Sequence, residues 1–329
     1  MGDVAMTVPV ISALAQQNPN CKITFVSRPF FEPFFKQIPN LTFFAVDLDH
    51  RHKGLLGLIR LFFDLKKLQI THFADLHNVL RSKIIRTLFS IFGIKTANTN
   101  KGRKEKKELT RSENKVFKPL KTMFERHVQT FQKLGFSVSL QNPVFPKKVQ
   151  LSDKIKAILP QNASNIIGIA PFAQYQSKVY PQHLMQIVID KLAQNQQNTI
   201  LLFGGGEHEI KILNQLQNNH KNAIVIAGKL DLSDELDLIS NLKVMLSMDS
   251  GNAHLASMFG VNVVTLWGAT HPFAGFSPFN QPLENCLTSD RNKYPKLPTS
   301  VYGNKIIEGY QNAMETISWE TIVNTLNKF

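Results

Sequence analysis

The sequence is poor in the features that mark secreted, metal-binding or membrane-spanning proteins. Its 329 residues include two cysteines, Cys21 and Cys286, whose separation fits neither a metal-ligand spacing nor a disulfide framework. Two such thiols are typical of a reducing compartment, where both stay free. No apolar run reaches the roughly 18–20 residues that a transmembrane helix needs. The first apolar stretch has no basic segment before it, which argues against a signal peptide.

Basic residues outnumber acidic residues in only one half of the chain. Residues 1–155 contain 26 Lys and Arg against 11 Asp and Glu, a net charge of +15, whereas residues 156–329 contain 12 against 13. A basic half predicts an anionic partner: nucleic acid, an anionic membrane surface, or a phosphorylated or acidic acceptor. Within residues 81–126, the phenylalanines resemble core residues and do not interleave with the basic residues on one face, which disfavours nucleic acid.

Short apolar runs alternate with amphipathic helical patterns, which predicts an α/β fold with doubly wound parallel sheets. The predicted elements include a helix over residues 4–17 that Pro9 would kink, a helix over residues 119–134, and strands over residues 166–170 and 244–248. A length of 329 residues suits two domains better than one core. The proline-punctuated residues 136–163 are the expected linker. We therefore predict a basic domain over residues 1–155 and a neutral domain over residues 156–329, with the ligand in a cleft between them.

Residues 243–272 are the most informative stretch. They predict a strand, a turn, a helix and a second strand, and four residues stand at the turn and in the first helical turn: Asp249, Ser250, Gly251 and His254. Open α/β sheets bind ligands at the carboxyl ends of their strands, and a helix N-terminus favours an anion such as phosphate. The plainer alternative is that Asp249 or Ser250 only caps the helix.

Two other loops of the second domain are expected at the same edge of the sheet. Lys178 stands just before a predicted helix, and Glu207 follows three glycines at 204–206. The glycine run has neither the Lys-Ser/Thr of a P-loop nor the G-x-G-x-x-G spacing, so a plain tight turn is an equal alternative. With the turn at Asp249, these loops suit a nucleoside diphosphate joined to a sugar. Lys178 and the helix end would then supply the positive charge in place of a metal.

The first domain offers one candidate base and a set of basic residues. Asp3 is either a helix N-cap or a general base that takes a proton from an attacking hydroxyl. The charge run at 101–107 is predicted to be a loop. The following side chains either bind an anionic acceptor or form ordinary surface: His77, Arg81, Lys101, Arg103, Lys106, Lys107 and Arg126.

Taken together, these motifs resemble glycosyltransferase family 9, the ADP-heptose:lipopolysaccharide heptosyltransferases. The matching segments follow the family's order over nearly the whole chain: residues 1–4, 75–82, 101–107, 169–181, 203–207 and 249–272. The resemblance implies a GT-B fold of two Rossmann-like domains and metal-independent, inverting transfer with no cofactor. Alternatives are transfer of another sugar from a UDP donor, or a basic binding protein without turnover.

The resemblance also implies roles and partners. Asp3 would be the catalytic base, residues 101–107 an acceptor-side loop, and the donor contacts Lys178, Glu207, Asp249, Ser250, Gly251 and His254. The implied donor is ADP-heptose, and the implied acceptor is an anionic glycolipid, the growing lipopolysaccharide core. The chain would work as a monomer in the cytoplasm, peripherally attached to the inner membrane through helices 53–68 and 81–92.

The chain departs from the family at its start. The family has a strand directly before the turn that corresponds to Gly2 and Asp3, and no such strand stands here. We expect about ten further residues, one strand and a short lead-in, to precede Met1 in the natural protein. Without them, the first sheet would lack its central strand and Asp3 would be held less firmly.

Overall fold

Two compact units make up the chain, and their boundaries do not follow a single cut in the sequence. The computed structural model describes residues 1–161, 163–305 and 307–329. One unit contains Met1, Asp3–Gly102 and Lys121–Pro146, and the other contains Gly2, Arg103–Leu120 and Lys147–Phe329. The final change of unit therefore lies at 146/147 rather than 155/156, and residues 103–120 group with the second unit.

The first unit alternates short strands and helices. In chain order its elements are α1 (Gly2–Ala5), α2 (Val8–Gln17), β1 (Ile23–Ser27), β2 (Leu41–Ala45), α3 (Gly54–Lys66), β3 (His72–Asp75), α4 (Leu80–Ile91), β4 (Lys95–Asn98) and, after α5 (Arg103–Thr110) of the second unit, α6 (Met123–Leu134). β1 pairs with β2 and β3 with β4, both in parallel. Within the described residues these pairs form two separate sheets. The strand expected before Gly2 stays a prediction.

The single helix expected over residues 4–17 is divided into α1 and α2. Pro9 lies in the first turn of α2, where its missing N–H removes no intrahelical bond. The Thr7 hydroxyl donates to the Val4 carbonyl at 2.7 Å in the break between the helices. The predicted kink in a continuous helix was wrong, because the backbone places the proline at a helix start.

The charge run at 101–107 was wrongly predicted to be a loop. Most of it lies in α5, whose Lys, Arg and Glu residues are good helix formers. One face of α5 is buried through Leu109 and the stem of Lys106. Lys106 Nζ lies 3.8 Å from the ring centroid of Phe276 in the same unit. A long lysine can cover apolar surface with its methylenes, so a charge run can still form a packed helix.

The loop after α5 is bound to the body of the second unit. Lys115 Nζ donates to the carbonyls of Leu109 at 3.0 Å and Pro298 at 2.7 Å. The ring of Phe117 lies under the Arg291 guanidinium, whose Cζ is 3.4 Å from the ring centroid. Residues 103–120, which we call the strap, are thereby attached to residues 271–298.

The second unit is built on one parallel sheet. Its remaining elements are α7 (Asp153–Lys156), β5 (Ile166–Ala170), α8 (Gln182–Ala193), β6 (Thr199–Leu202), α9 (Gly206–Gln217), β7 (Ala223–Val225), α10 (Leu232–Ile239), β8 (Val244–Met248), α11 (Gly251–Met258), β9 (Asn262–Trp267), β10 (Cys286–Thr288) and α12 (Trp319–Leu326). Among the described residues the sheet has six strands in the order β10-β9-β8-β5-β6-β7. The central strands are buried along their length, as expected of a parallel sheet covered on both faces.

The strand order reverses between β5 and β8. The chain runs from β5 outward through β6 and β7, then returns to the other side of β5 and continues through β8 to β10. In doubly wound folds, ligands bind outside the carboxyl ends of the strands at such a switch point. Here those ends are Ala170 and Met248, and they fix where the loops that follow β5 and β8 begin.

Candidate active site

Lys178 and Asp249 meet at the switch point. Lys178 ends the short 3₁₀ helix Gln176–Lys178 in the loop after β5, and Asp249 directly follows β8. Lys178 Nζ donates to the Asp249 backbone carbonyl at 2.7 Å and to its carboxylate Oδ2 at 3.3 Å. Both side chains are only about a tenth exposed. The structure therefore brings together two predicted donor residues from loops that are 71 residues apart.

A third group completes this contact. The hydroxyl of Thr270, in the loop after β9, donates to Asp249 Oδ2 at 2.8 Å. Because β9 is the neighbour of β8 in the sheet, its loop starts beside the one that carries Asp249. One oxygen of the carboxylate thus has two donors within the protein, which fixes its orientation. Among the described residues, no donor contacts the other oxygen, Oδ1.

The N-terminus of α11 begins beside this carboxylate. Ser250 is its N-cap, yet within the described residues its side chain accepts no bond from the helix N–H groups. The Ser250 hydroxyl instead contacts the Ser247 hydroxyl at 3.1 Å. Since Asp249 is held by Lys178 and Thr270, this geometry does not support the simple capping alternative. His254 lies in the first turn of the same helix and is buried.

The stem of Lys178 is held by a glycine. Gly303 has a φ of +88°, and a Cβ at this position would lie 2.7 Å from Lys178 Cγ. The neighbouring Ser177 hydroxyl donates to the Gly303 carbonyl at 2.5 Å. Only glycine combines this backbone conformation with so close an approach, so Gly303 fixes the path along which Lys178 reaches Asp249.

The glycine loop at 204–206 has a different arrangement from the predicted one. Glu207 lies in the first turn of α9 and is exposed. The carboxylate that contacts this loop is Glu209, whose Oε2 accepts the Gly205 N–H at 2.8 Å. Glu209 therefore shapes the loop, while Glu207 is left directed to solvent, and its donor contact stays a prediction.

The predicted base lies near a histidine of the first unit. Asp3 lies in α1, and its Oδ2 is 3.8 Å from Nε2 of His77. Both side chains are more than half exposed, so the pair is weak in water. Loss of hydration around the ring, with nearby Lys101, lowers the pKa of His77. A neutral imidazole is thus favoured beside Asp3 at neutral pH.

The turn that carries His77 is firmly supported. The buried carboxylate of Asp75, at the end of β3, accepts the Asn78 N–H at 2.6 Å and contacts Arg86 at 3.3 Å. Asn78 has a φ of +46°, which asparagine tolerates better than most residues. Arg81 follows in the first turn of α4 and is exposed.

The basic residues assigned to the acceptor divide into exposed and buried groups. Arg103 and Lys107 are exposed on α5, whereas Lys106 is buried. Arg126 is also buried, and its guanidinium donates to the carbonyls of Asn100 and Lys121. Arg126 therefore supports the backbone around Gly102, where a Cβ would collide with the guanidinium.

The described residues hold no cluster of three metal-ligating side chains.

Comparison with known proteins decides the family. The family model described as glycosyltransferase family 9 (heptosyltransferase) matches residues 58–305, well over half of the chain. The chain belongs to glycosyltransferase family 9. It is a glycosyltransferase.

This glycosyltransferase is similar along its whole length to characterised relatives. It is 23% identical to the lipopolysaccharide core heptosyltransferase OpsX of Haemophilus influenzae, over 100% of this chain and 94% of that protein. A glycosyltransferase family 9 structure from Veillonella parvula aligns with a TM-score of 0.75 at 18% identity, over 99% of this chain and 93% of the other. The Escherichia coli heptosyltransferase WaaC with ADP aligns with a TM-score of 0.66 at 17% identity, over 99% and 96%. The GT-B fold is thereby confirmed.

In this glycosyltransferase, sequence reasoning missed three residues that organise the site. Thr270 lies in one of the matching motifs but was assigned no role. Gly303 lies in a segment with no periodic pattern. In the glycine loop, Glu207 was assigned the role of the functional carboxylate, whereas Glu209 makes the contact. The position of Thr270 just after a buried strand was the available signal, because adjacent parallel strands end at one edge. Nothing in the local sequence indicates the contact of Gly303 with Lys178.

Among the described residues, no helix is long and apolar enough to cross a membrane.

Proposed function

We propose that this glycosyltransferase transfers a heptose from ADP-heptose to a lipopolysaccharide core acceptor, with inversion at the sugar carbon and without a metal. The family and the names of its lipopolysaccharide heptosyltransferase relatives support the sugar and the acceptor. ADP in the WaaC structure supports the nucleotide. The observation that carries the proposal is the junction of Lys178, Asp249 and the α11 N-terminus at the switch point.

The donor's diphosphate would lie at the α11 N-terminus. Backbone N–H groups of Gly251 and the following residues, the helix dipole and Lys178 together offer a preorganised site for negative charge. Asp249 would accept a hydrogen bond from a hydroxyl of the sugar or ribose through Oδ1. Ser250, His254 and Glu207 would make the remaining contacts to the nucleotide sugar. As ADP leaves, the developing charge on its terminal phosphate would be stabilised without a bound cation.

Asp3 would act as general base. The acceptor hydroxyl oxygen forms a bond to the sugar C1 as the bond from C1 to the diphosphate oxygen breaks, and Asp3 takes the hydroxyl proton. Attack from the face opposite the leaving group inverts the anomeric configuration. His77, Arg81, Lys101 and the exposed basic residues of α5 would attract the anionic core. We propose a monomer that works at the cytoplasmic face of the inner membrane, with no resident cofactor and no nucleic acid partner.

Nucleotide binding tests the donor assignment. Calorimetric titration with ADP, UDP and GDP in the presence of EDTA should give selective ADP binding. Lys178→Ala should weaken ADP binding by about 10–100-fold, the loss expected for one hydrogen bond to a charged group. Lys211→Ala, which removes an exposed lysine from α9, should have no effect. Preference for UDP would indicate another sugar donor, and equal ADP affinity in Lys178→Ala would remove that residue from the site.

Turnover tests the base. With ADP-heptose and a core acceptor, Asp3→Asn should abolish ADP release while leaving ADP affinity nearly unchanged, because the amide keeps the shape but cannot take the proton. The anomeric configuration of the product, read from its NMR coupling constant, should be opposite to that of the donor. Retention, or full activity of Asp3→Asn, would refute the mechanism.

A further inference from the structure

A loop near the end of the chain lies beside the candidate active site. We call residues 299–304 the Tyr302 loop. The backbone N–H groups of Thr299 and Ser300 donate to the Ala269 carbonyl at 2.9 and 3.2 Å. Ala269 directly precedes Thr270, one of the two residues that hold the carboxylate of the site. The Tyr302 loop is therefore attached to the segment that positions this carboxylate.

The backbone around Tyr302 is also fixed from the side of Lys178. The buried hydroxyl of Ser300 accepts the N–H groups of Tyr302 at 3.3 Å and of Gly303 at 2.9 Å. The Gly303 carbonyl then accepts the hydroxyl of Ser177, the residue beside Lys178. Tyr302 thus lies in a turn whose backbone is held on both sides by the loops of the candidate site.

The side chain of Tyr302 is supported by a second ring. Its ring centroid lies 6.0 Å from that of Phe276, in the segment after β9, and the Phe276 ring covers the buried Lys106 Nζ of α5. Phe276 is partly buried, whereas Tyr302 is 54% exposed. We call Phe276 and Tyr302 the aromatic wall. An aromatic ring that is held from behind and exposed in front, beside polar and charged groups, is typical of a ligand site.

The strand order indicates which end of the donor the aromatic wall would meet. The segments after β9 and β10 carry the wall, and they lie on one side of β8 in the described sheet. The glycine loop after β6 lies on the other side of β8. A donor whose diphosphate lies at the α11 N-terminus, directly after β8, would extend its two ends toward these two places.

The two places suit different chemical groups. At Gly205 and Gly206 an added Cβ would meet nothing within 4 Å among the described residues, so a flat base can approach the backbone there closely. A pyranose has a face of C–H groups, which packs against the electron-rich face of an aromatic ring. The aromatic wall therefore suits the sugar, and the glycine loop suits the base.

We propose that Tyr302, supported by Phe276, packs against the sugar that is transferred and so contributes to the choice of donor sugar. The inference rests on the proposed function, because it takes the diphosphate of the donor to lie at the α11 N-terminus. The contact is made when the donor binds and is kept in the transition state. Its loss should therefore raise KM for the donor with little change in kcat.

Binding of the donor with and without its sugar tests the contact. In calorimetry without acceptor, Tyr302→Ala should weaken binding of ADP-heptose by about tenfold and leave the affinity for ADP within about twofold. Tyr302→Phe should bind both ligands as the natural chain does, since the ring is kept. The matched control is Leu283→Ala, which removes an exposed apolar side chain of the second unit just before β10 and should change neither affinity.

Three results would overturn the proposal. An equal loss of ADP and ADP-heptose affinity in Tyr302→Ala would place the ring against the nucleotide. Unchanged affinity for both ligands would show that the ring contacts neither part of the donor. A loss of ADP-heptose affinity in Tyr302→Phe as large as in Tyr302→Ala would assign the effect to the hydroxyl.

Failure of the donor assignment gives a different result. A natural chain that prefers UDP would contradict the ADP-heptose assignment, and the aromatic wall is then tested with UDP and UDP-glucose. A loss of about tenfold for UDP-glucose in Tyr302→Ala, with UDP affinity unchanged, would support the sugar contact although the proposed donor is wrong. An equal loss for both UDP ligands, or no loss, would overturn the sugar contact as well.

Discussion

Replacing Gly303 with alanine tests whether this glycine fixes the buried stem of Lys178. A Cβ at Gly303 would lie 2.7 Å from Cγ, 2.8 Å from Cδ and 3.2 Å from Cε of Lys178. A side chain in the left-handed region costs about 1–2 kcal/mol. Inserting a methyl group into filled space costs about 1–3 kcal/mol more. Gly303→Ala should therefore lower the free energy of unfolding by about 2–5 kcal/mol.

A double-mutant cycle separates the cost of the backbone conformation from the cost of the contact with Lys178. The three atoms nearest to the added methyl all belong to Lys178, and Lys178→Ala removes them. In that background, Gly303→Ala should cost only the backbone part, so the coupling energy should be about 1–3 kcal/mol. Gly309→Ala is the matched control: its φ is +79°, and among the described residues nothing lies within 4 Å of the added Cβ.

The chain carries a suitable probe for this experiment. Its two tryptophans, Trp267 and Trp319, both lie in the second unit, so fluorescence during urea unfolding reports on that unit. ADP titration of the same variants should show weaker binding for Gly303→Ala and unchanged binding for Gly309→Ala. An equal cost of Gly303→Ala with and without Lys178 would refute the reasoning, because the contact would then contribute nothing.

Two further predictions concern the second unit. Burial raises the pKa of Glu235 from 4.5 to about 7, so its contribution to stability is present below pH 4.5 and is lost as the pH rises through 7. Glu235→Gln should gain up to roughly 3 kcal/mol of unfolding free energy over the natural chain across this window, and parallel pH profiles in urea unfolding would contradict the assignment. Phe117→Ala removes the ring between Arg291 and His271, so trypsin should cleave the strap several-fold faster. Phe136→Ala is the control, and an unchanged cleavage rate at residues 103–118 would show that the strap is held by other contacts.

The second unit was largely predictable because its strands are short, fully buried apolar runs. Such runs need no long-range information, and the predicted strands over 166–170 and 244–248 match the structure residue for residue. The turn between β8 and α11 was predictable for the same reason. Lys178 and Asp249 were expected in one site because both follow strands of one parallel sheet.

The helices and strands over residues 1–146 were harder to predict, because their bounds depend on capping, strand pairing and packing partners that the apolar pattern does not show. The start of α6 was placed at Pro119, although Thr122 and Glu125 form a capping box that begins the helix at Met123. β4 was not predicted, since Lys95–Asn98 carries little apolar character and is defined by pairing with β3. α5 was missed because its packing partner, Phe276, is remote in the sequence. The roles of Asp3 and of the basic residues stay predictions.

The position of the strap in the sequence limits where the chain can be cut and recombined with a relative. Its contacts with residues 271–298 belong to one folded body, but a long stretch of sequence separates the two segments. A recombination event at 146/147 would deliver a C-terminal fragment whose Arg291 and Phe273 had lost Phe117 and Leu120 as partners. A chimeric enzyme would then carry the strap of one parent on the body of the other. Successful exchange of the second unit between relatives therefore requires two inserted pieces, and substitutions in the two segments should accumulate in matched pairs.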